Sequence, residues 1–335
     1  MRFGLFGGAR SSGDGPAGDS IGYRNYIDYV LHAEALGFHS VFVVEHHFTG
    51  VGQVSASLGL LSYLAGRTSH IRLGTAVVVL PWHNPALLAE QAATLDLVSG
   101  GRFDFGIGKG YRDSEFAGFG IPVSQADERF EEAIAFLRAA WGAQGRFSHH
   151  GKHWTFENIV IEPRPTQRPH PPLWIAAGRD ESIRRAACDG INLLLDQIAP
   201  VDQIIHRVQI YREELTRVGQ EAKPHQIAVA RALQLVANEE EERKALELRA
   251  RVIRNIGALA RGPGAERYVN PPSHTEGELA REDSPLLGTP EQIIARLRRL
   301  EAGGVDYVLL VDPTGSKQAL STFAREVMPK FAEQA

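Results

Sequence analysis

The sequence predicts an α/β chain closed as a (β/α)8 (TIM) barrel, carrying an inserted hairpin and a long mobile lid loop. Three observations carry that expectation. Eight short apolar runs recur along the 335 residues and are apolar on both faces, as strands are when helices cover them. Longer amphipathic stretches separate these runs, which is the alternation of strand–helix units around a parallel barrel. No run is followed by a G-x-G-x-x-G fingerprint with a later acidic partner, so a doubly wound nucleotide-binding sheet is the weaker alternative.

The strand candidates are residues 2–6 (RFGLF), 40–45 (SVFVVE), 71–80 (IRLGTAVVVL) and 102–108 (RFDFGIG), then 172–177 (PLWIAA), 191–195 (INLLL), 227–237 (IAVARALQLVA) and 307–311 (YVLLV). Helical patterns fill residues 23–37, 86–101 and 128–143, and Gly37, Gly101 and Gly190 stand where helix C-termini favour a left-handed residue. Residues 145–165 alternate like a hairpin inserted between the fourth helix and the fifth strand. Residues 261–290 are rich in Gly, Pro, Ser and Glu and poor in apolar side chains, as expected of a lid. No repeat or linker divides the chain, so residues 1–335 are expected to form one domain.

A formal net charge of −4 and a pI near 6.4 provide no field that would gather nucleic acid or an anionic membrane. No apolar run is long enough to cross a bilayer. The opening MRFGLFGGARSSGDG lacks the form of a secretory signal. The single cysteine, Cys188, excludes an internal disulfide and is read as buried packing. A cytoplasmic protein is expected.

Chemistry concentrates at strand ends. In FVVEHHFTG an apolar strand stops at Glu45, His46 and His47. Neighbouring strand residues face opposite ways, so only one of the histidines looks into the barrel mouth and a His–His metal pair is not expected. One of the two, paired with Glu45 at the strand end, is then a candidate functional group; strand-end packing is the alternative. After the fourth strand, GIGKGYRDSEF places Gly106, Gly108 and Gly110 where a flat ligand or a phosphate could approach backbone, with Lys109 supplying charge. A tight turn with a solvated lysine is the alternative. The fifth strand leads through Gly178 and Arg179 into a helix with Ser182 in its first turn, which is either an anion site or a plain helix start with a surface arginine. A phosphate held between Lys109 and that helix start is expected. Phe6, Phe48, Trp82, Tyr111 and Phe116 near the mouth suggest an apolar or aromatic substrate.

These segments resemble the bacterial luciferase family of flavin-dependent monooxygenases, being similar to the catalytic (alpha) subunit from Arg2 to about Arg185. The likeness rests on EHHFT, LGTAVVVLP-x-H-x-P, GRFDFGIGKG, F-x-x-FG at Phe116–Gly120 and PLWIAAG, and continues more loosely through GTPEQIIARL. It implies a two-component enzyme that oxygenates a small organic substrate through a flavin (hydro)peroxide. Reduced FMN would come from a separate NAD(P)H:flavin reductase, and O2 would be the co-substrate. The resemblance implies that His46 is the catalytic histidine and that a non-prolyl cis peptide at Ala76–Val77 lies beneath the flavin ring. It also places Lys109 and Ser182 at the phosphate and suggests a homodimer. Gly108 replaces a reactive cysteine, Gly178 and Arg179 replace a Glu-Ser pair, and Gln197 falls near a flavin-packing tryptophan, so light emission and a long-chain aldehyde substrate are not implied. Three alternatives stand beside this one: a deazaflavin-dependent hydride-transferring oxidoreductase of the same superfamily, a non-catalytic beta-like partner subunit, and a metal-dependent barrel hydrolase.

Overall fold

The computed structural model describes residues 1–13, 15–50, 53–259 and 283–332. Its centre is a closed barrel of eight parallel strands: β1 (Arg2–Gly7), β2 (Ser40–Val43), β3 (Arg72–Thr75, continued by β4, Val78–Val79), β5 (Phe103–Gly108), β8 (Leu173–Ala176), β9 (Asn192–Leu195), β10 (Ile227–Leu235) and β12 (Tyr307–Val311). Closure is made by β12 beside β1, with Phe3 opposite Val308, and by β10 beside β9, with Ala228 opposite Leu194. Helices α1 (Gly15–Ala35), α2 (Ser57–Ala65), α3 (Pro85–Val98), α4 (Asp113–Gly118), α5 (Ala126–Gly142), α6 (Asp180–Cys188), α7 (Val201–Arg217), α8 (Glu239–Leu259), α9 (Pro290–Ala302) and α10 (Lys317–Glu326) flank it. The expected hairpin is β6 (Phe147–His150) paired antiparallel with β7 (Thr155–Ile159). Among the described residues no helix is long and apolar enough to cross a membrane.

Local sequence explains the helix ends. Asn84 caps α3 by accepting the N–H groups of Ala86 and Leu87, and Pro85 fills the first helical position, where no amide donor is needed. Thr289 and Gln292 form a reciprocal capping box at the start of α9. Gly37 and Gly190 end their helices at φ of +85° and +65°, a conformation costly for any residue with a Cβ.

Two apolar cores result. The larger lies between barrel and helices. The smaller fills the barrel itself with Phe42, Trp174, Leu194, Ala228, Tyr307 and Leu309. Gly74 is required there, because a Cβ at that position would overlap the Phe42 ring. Below this plug, at the N-terminal ends of the strands, Arg72 donates to Asp104 through Nε (2.7 Å) and Nη2 (3.1 Å). Trp174 Nε1 donates to the same carboxylate at 3.1 Å, and Ser40 and Tyr307 share a hydrogen bond of 2.5 Å. The barrel is therefore solid from its base upward, and room for a ligand is confined to the C-terminal mouth.

Three expectations need correction. The third strand does not run unbroken over 71–80: Gly74 stands opposite Asp104 and Val78 opposite Ile107, so this strand spends four residues where its neighbour spends three. The surplus is taken up at Ala76–Val77, joined by a non-prolyl cis peptide, while Thr75 Oγ1 donates to the Gly106 carbonyl and accepts its N–H. The lid segment lies outside the described residues over 261–282, and its last part is not loop, since β11 (Leu286–Gly288) pairs with the upper end of β10. Cys188 is exposed rather than buried, because the buried face of α6 runs through Ile183, Ala186 and Ala187 and turns away before its last residue.

Removing the acid at the base should be felt globally. Asp104→Ala leaves Arg72 and Trp174 without their shared acceptor and is expected to cost about 3 kcal/mol in chemical denaturation, the lower end for a broken buried ion pair because Arg72 is partly solvated. A loss below about 1 kcal/mol would show that this layer contributes little to barrel stability.

Candidate active site

Strand β2 leaves its ladder at Val43, and the chain then turns across the mouth with Val44 still bonded to the Gly7 carbonyl and His46 N–H to that of Val54. Glu45, only 3% exposed, is the organising group. Its Oε1 accepts from His83 Nε2 at 2.8 Å, Trp82 Nε1 at 3.0 Å and His47 Nε2 at 3.2 Å, and Ser57 Oγ donates to Oε2 at 3.4 Å. Burial pushes such a carboxyl up, but the hydrogen bonds from His47, His83 and Trp82 outweigh it and bring Glu45 down to about 2. The expected pairing of Glu45 with His46 is not formed. The two histidines diverge, as adjacent extended residues must, and Glu45 holds the second.

His46 is held instead by Glu115 on α4, whose Oε1 lies 3.1 Å from His46 Nδ1 and also accepts the His47 N–H at 2.9 Å. Burial holds the His46 imidazole below its ordinary pKa; the bond to Glu115 opposes this, and the charge of Arg112 reinforces it. An ionised carboxylate can only accept, so Nδ1 carries the proton and Nε2 keeps a lone pair. Arg112 is equally buried, with Nη1 3.6 Å from Glu115 Oε1, and its Nε and Nη1 have no hydrogen-bond partner. Glu115 and Arg112 lie in GYRDSEF, where the sequence draws attention to Gly110, Tyr111 and Phe116 but not to these two.

Each of the glycines of GIGKG also faces protein atoms. A Cβ at Gly106 would meet the Thr75 carbonyl, one at Gly108 the Val77 side chain, and one at Gly110 the side chains of Val79, Phe116 and Trp82. They let the bulged third strand press against β5. The aromatic residues are also largely spoken for: Trp82 stacks on Phe119 with centroids 5.3 Å apart and meets Phe116 edge-on at 5.0 Å. Phe48 packs on Phe119 at 5.0 Å yet remains 61% exposed. Ala76, Val77 and Phe6 are only partly buried above the barrel plug and form an apolar platform.

The turns after β5 and β8 are neighbours, since Ile107 stands opposite Ile175 and parallel strands lie about 4.8 Å apart. Lys109 Nζ is 2.8 Å from Asp127 and 3.9 Å from Glu131, and Glu131 also pairs with Arg185 on α6. Lys109 is thus already compensated, which sequence alone did not suggest. Arg179 occupies the cap position of α6 without a capping side chain, and Ser182 lies in the first turn. Arg207 of α7, missed in the sequence because it comes from a distant helix, is buried beside Gly178: a Cβ there would lie 3.3 Å from its Nη2, while Nη1 bonds Asp196 at 2.7 Å. Across the mouth, Gln197, Ile198, Ala232, Gln234 and Val311 border a small, mainly apolar pocket.

Comparison with known proteins bears on this geometry. A family model described as luciferase-like monooxygenase matches residues 1–307. The flavin-dependent trigonelline monooxygenase oxygenase component of Acinetobacter baylyi is 29% identical over 99% of this chain and 96% of its own length. The FMNH2-dependent dimethylsulfone monooxygenase of Pseudomonas putida is 28% identical over 85% of this chain and 80% of its own. The crystal structure of monooxygenase RslO1 from Streptomyces bottropensis superposes with a TM-score of 0.83 at 27% identity, covering 99% of this chain and 100% of that one.

The depressed Glu45 carboxyl links stability to acid. Because it titrates near 2 rather than near its ordinary 4.5, its contribution is complete above pH 4.5 and is lost as the pH falls toward 2. The contribution is on the order of 3 kcal/mol. Unfolding measured across that acid range should show a steep loss for the natural chain and a flatter one for Glu45→Gln; parallel curves would remove Glu45 from the linkage.

Proposed function

The chain belongs to the luciferase-like monooxygenase family, and from that premise we propose that it is the oxygenase component of a two-component system that oxygenates a small organic substrate with O2 and reduced FMN delivered by a separate NAD(P)H:flavin reductase. The observation that carries this reading is His46, anchored through Nδ1 to Glu115 at the barrel mouth, where Ala76, Val77 and Phe6 lie partly buried over the barrel plug. The flavin dependence in the names of the two relatives supports it.

The donors present fit FMN. Backbone N–H groups at the start of α6, the Arg179 guanidinium, the Ser182 hydroxyl, Arg207 and Lys109 make a cationic, donor-rich cradle suited to a phosphate, and Gly178 keeps it open. The platform offers a flat apolar surface for a ring system. Bound there, reduced FMN would supply the electrons that activate O2. The chain's own residues then position and protonate. His46, neutral near pH 7, accepts a proton at Nε2 and returns it at the same atom, while Glu115 fixes the tautomer and bears the charge that appears on the ring. Glu45 acts as a positioning residue: by clamping His47, Trp82 and His83 it holds the turn from which His46 projects. Pairing of two copies is consistent with the exposed Tyr63, Leu87, Leu97 and Val98 on α2 and α3.

The function is tested by supplying FMN, a flavin reductase, NADH and O2 with a panel of candidate substrates and following mass gain of one oxygen. Deazaflavin bound in preference to FMN, or hydride transfer without O2, would overturn the reading. His46→Ala is expected to bind FMN as the natural chain does while product formation falls by about 10²- to 10⁴-fold and hydrogen peroxide accumulates. Full product yield would remove His46 from the chemistry. Arg179→Ala combined with Lys109→Ala should weaken FMN binding more than tenfold, charge-assisted contacts being worth about 1.5–3 kcal/mol each. Lys109→Ala alone should do less, because Asp127 already neutralises that side chain. An unchanged titration in the double variant would place the phosphate elsewhere.

A further inference from the structure

One group beside His46, besides its electrostatic effect on that ring, has buried donors that the scheme leaves unused. We propose that Arg112 receives a carboxylate of the organic substrate, and so determines both which molecules the site accepts and how they lie against the imidazole. This rests on the oxygenase function proposed above.

The argument begins with burial. Arg112 is buried at the edge of the barrel mouth, yet its Nε and Nη1 donate to nothing. A guanidinium cannot shed its proton to escape that situation, so the charge persists and calls for an acceptor. The carboxylates close by do not provide one. Glu115 Oε1 stands 3.6 Å from Nη1, beyond hydrogen-bonding range, and is already shared by His46 Nδ1 and the His47 N–H. Glu45 Oε1 is occupied by three donors of its own. Both oxygens of the adjacent Asp113 are themselves buried without a hydrogen-bond partner, so these chain neighbours do not answer each other.

Position makes the unanswered charge useful. The guanidinium carbon lies 5.4 Å from the centre of the Tyr111 ring, and that ring meets His46 edge-on at 6.4 Å. Cation, phenol ring and imidazole therefore form one continuous wall. An acid whose carboxylate docks on Arg112 extends its carbon skeleton along Tyr111 toward the imidazole. A planar carboxylate matches the guanidinium fork, and a buried contact of this kind discriminates strongly against a neutral isostere, because two buried nitrogens, with only the 3.6 Å ion pair to Glu115 nearby, are otherwise left without a hydrogen-bond acceptor. The FMN phosphate has its own donors at the start of α6, so Arg112 is not needed for it.

The test is binding, without turnover. Calorimetric titration of the full chain, with and without oxidised FMN, would compare benzoate with benzamide and cyclohexanecarboxylate with its amide. Each acid is expected to bind at least tenfold more tightly than its amide. Arg112→Gln should abolish that preference while FMN affinity stays as in the natural chain, and Arg112→Lys should keep the preference but reduce it several-fold, since it keeps charge without the fork. Equal affinity for acid and amide in the natural chain overturns the proposal, as does a preference that survives Arg112→Gln. A loss of FMN affinity in that variant also overturns it, assigning the guanidinium to the cofactor. Should Arg112→Gln fail to fold, an undiminished preference in Arg112→Lys overturns it equally. These titrations need neither reduced flavin nor O2, so their failure is separable from failure of the oxygenase reading.

Discussion

The mouth of this barrel depends on one buried carboxylate. Glu45 has almost no contact with water, yet it remains ionised because three N–H donors from two different segments converge on a single oxygen. A buried anion is tolerated only where such bonds replace its hydration. The arrangement therefore works in both directions. The donors keep the charge in place, and the charge ties the segment after β2 to the one after β4, which carries Trp82 and His83. The first segment has left its ladder and the second is a single 3-10 turn (Leu80–Trp82), so this side-chain cluster is what joins them.

From that anchor the division of labour between the two histidines follows. Successive residues in extended chain face opposite ways, and so a carboxylate capturing His47 leaves His46 to the other side. There it meets Glu115, presented by the short helix α4. Two opposing charges then act on one ring: Glu115 favours the imidazolium, while burial and Arg112 favour the neutral form and prevail. A base that is neutral near pH 7 and whose tautomer is set is what proton transfer beside a reactive cofactor requires. Burial is the larger influence against the pull of Glu115, and the charge of Arg112 adds to it.

How much of this could be read from the chain depends on the range of each interaction. The eight strands, the hairpin and the helix ends are local in origin, carried by apolar runs, alternation and glycines, and they emerged where those patterns placed them, save for the break at Ala76–Val77 in the third strand. The position of His46 at a strand end was equally visible. What escaped notice was every partner supplied from afar. Glu115 lies 69 residues from His46, and nothing in its own surroundings marks it. Arg207 reaches Gly178 from the following helix, and Asp127 quenches Lys109 from the start of α5. The glycines of GIGKG have distant neighbours of the same kind: Thr75, Val77 and Val79, from a strand carrying one residue too many, stand where their Cβ atoms would be. Composition shows that space exists beside a glycine; only the neighbour shows who occupies it.

The two cationic places at the mouth differ in a way that assigns them different work. At the start of α6 the charges are largely exposed or already compensated, Lys109 by Asp127 and Arg207 by Asp196. An anion arriving there exchanges one set of partners and some water for another, so binding is reversible and tolerant of the rest of the molecule. That suits a cofactor that must be delivered and released with each cycle. Arg112 is the opposite case: buried, and with two nitrogens unanswered. Strain of that kind in a folded protein persists where a bound partner relieves it, and the relief is available only to an anion of the right size at the right distance from His46. On the proposed reading, affinity at the first place and selectivity at the second would arise from the same type of side chain, separated by how thoroughly each has been withdrawn from water.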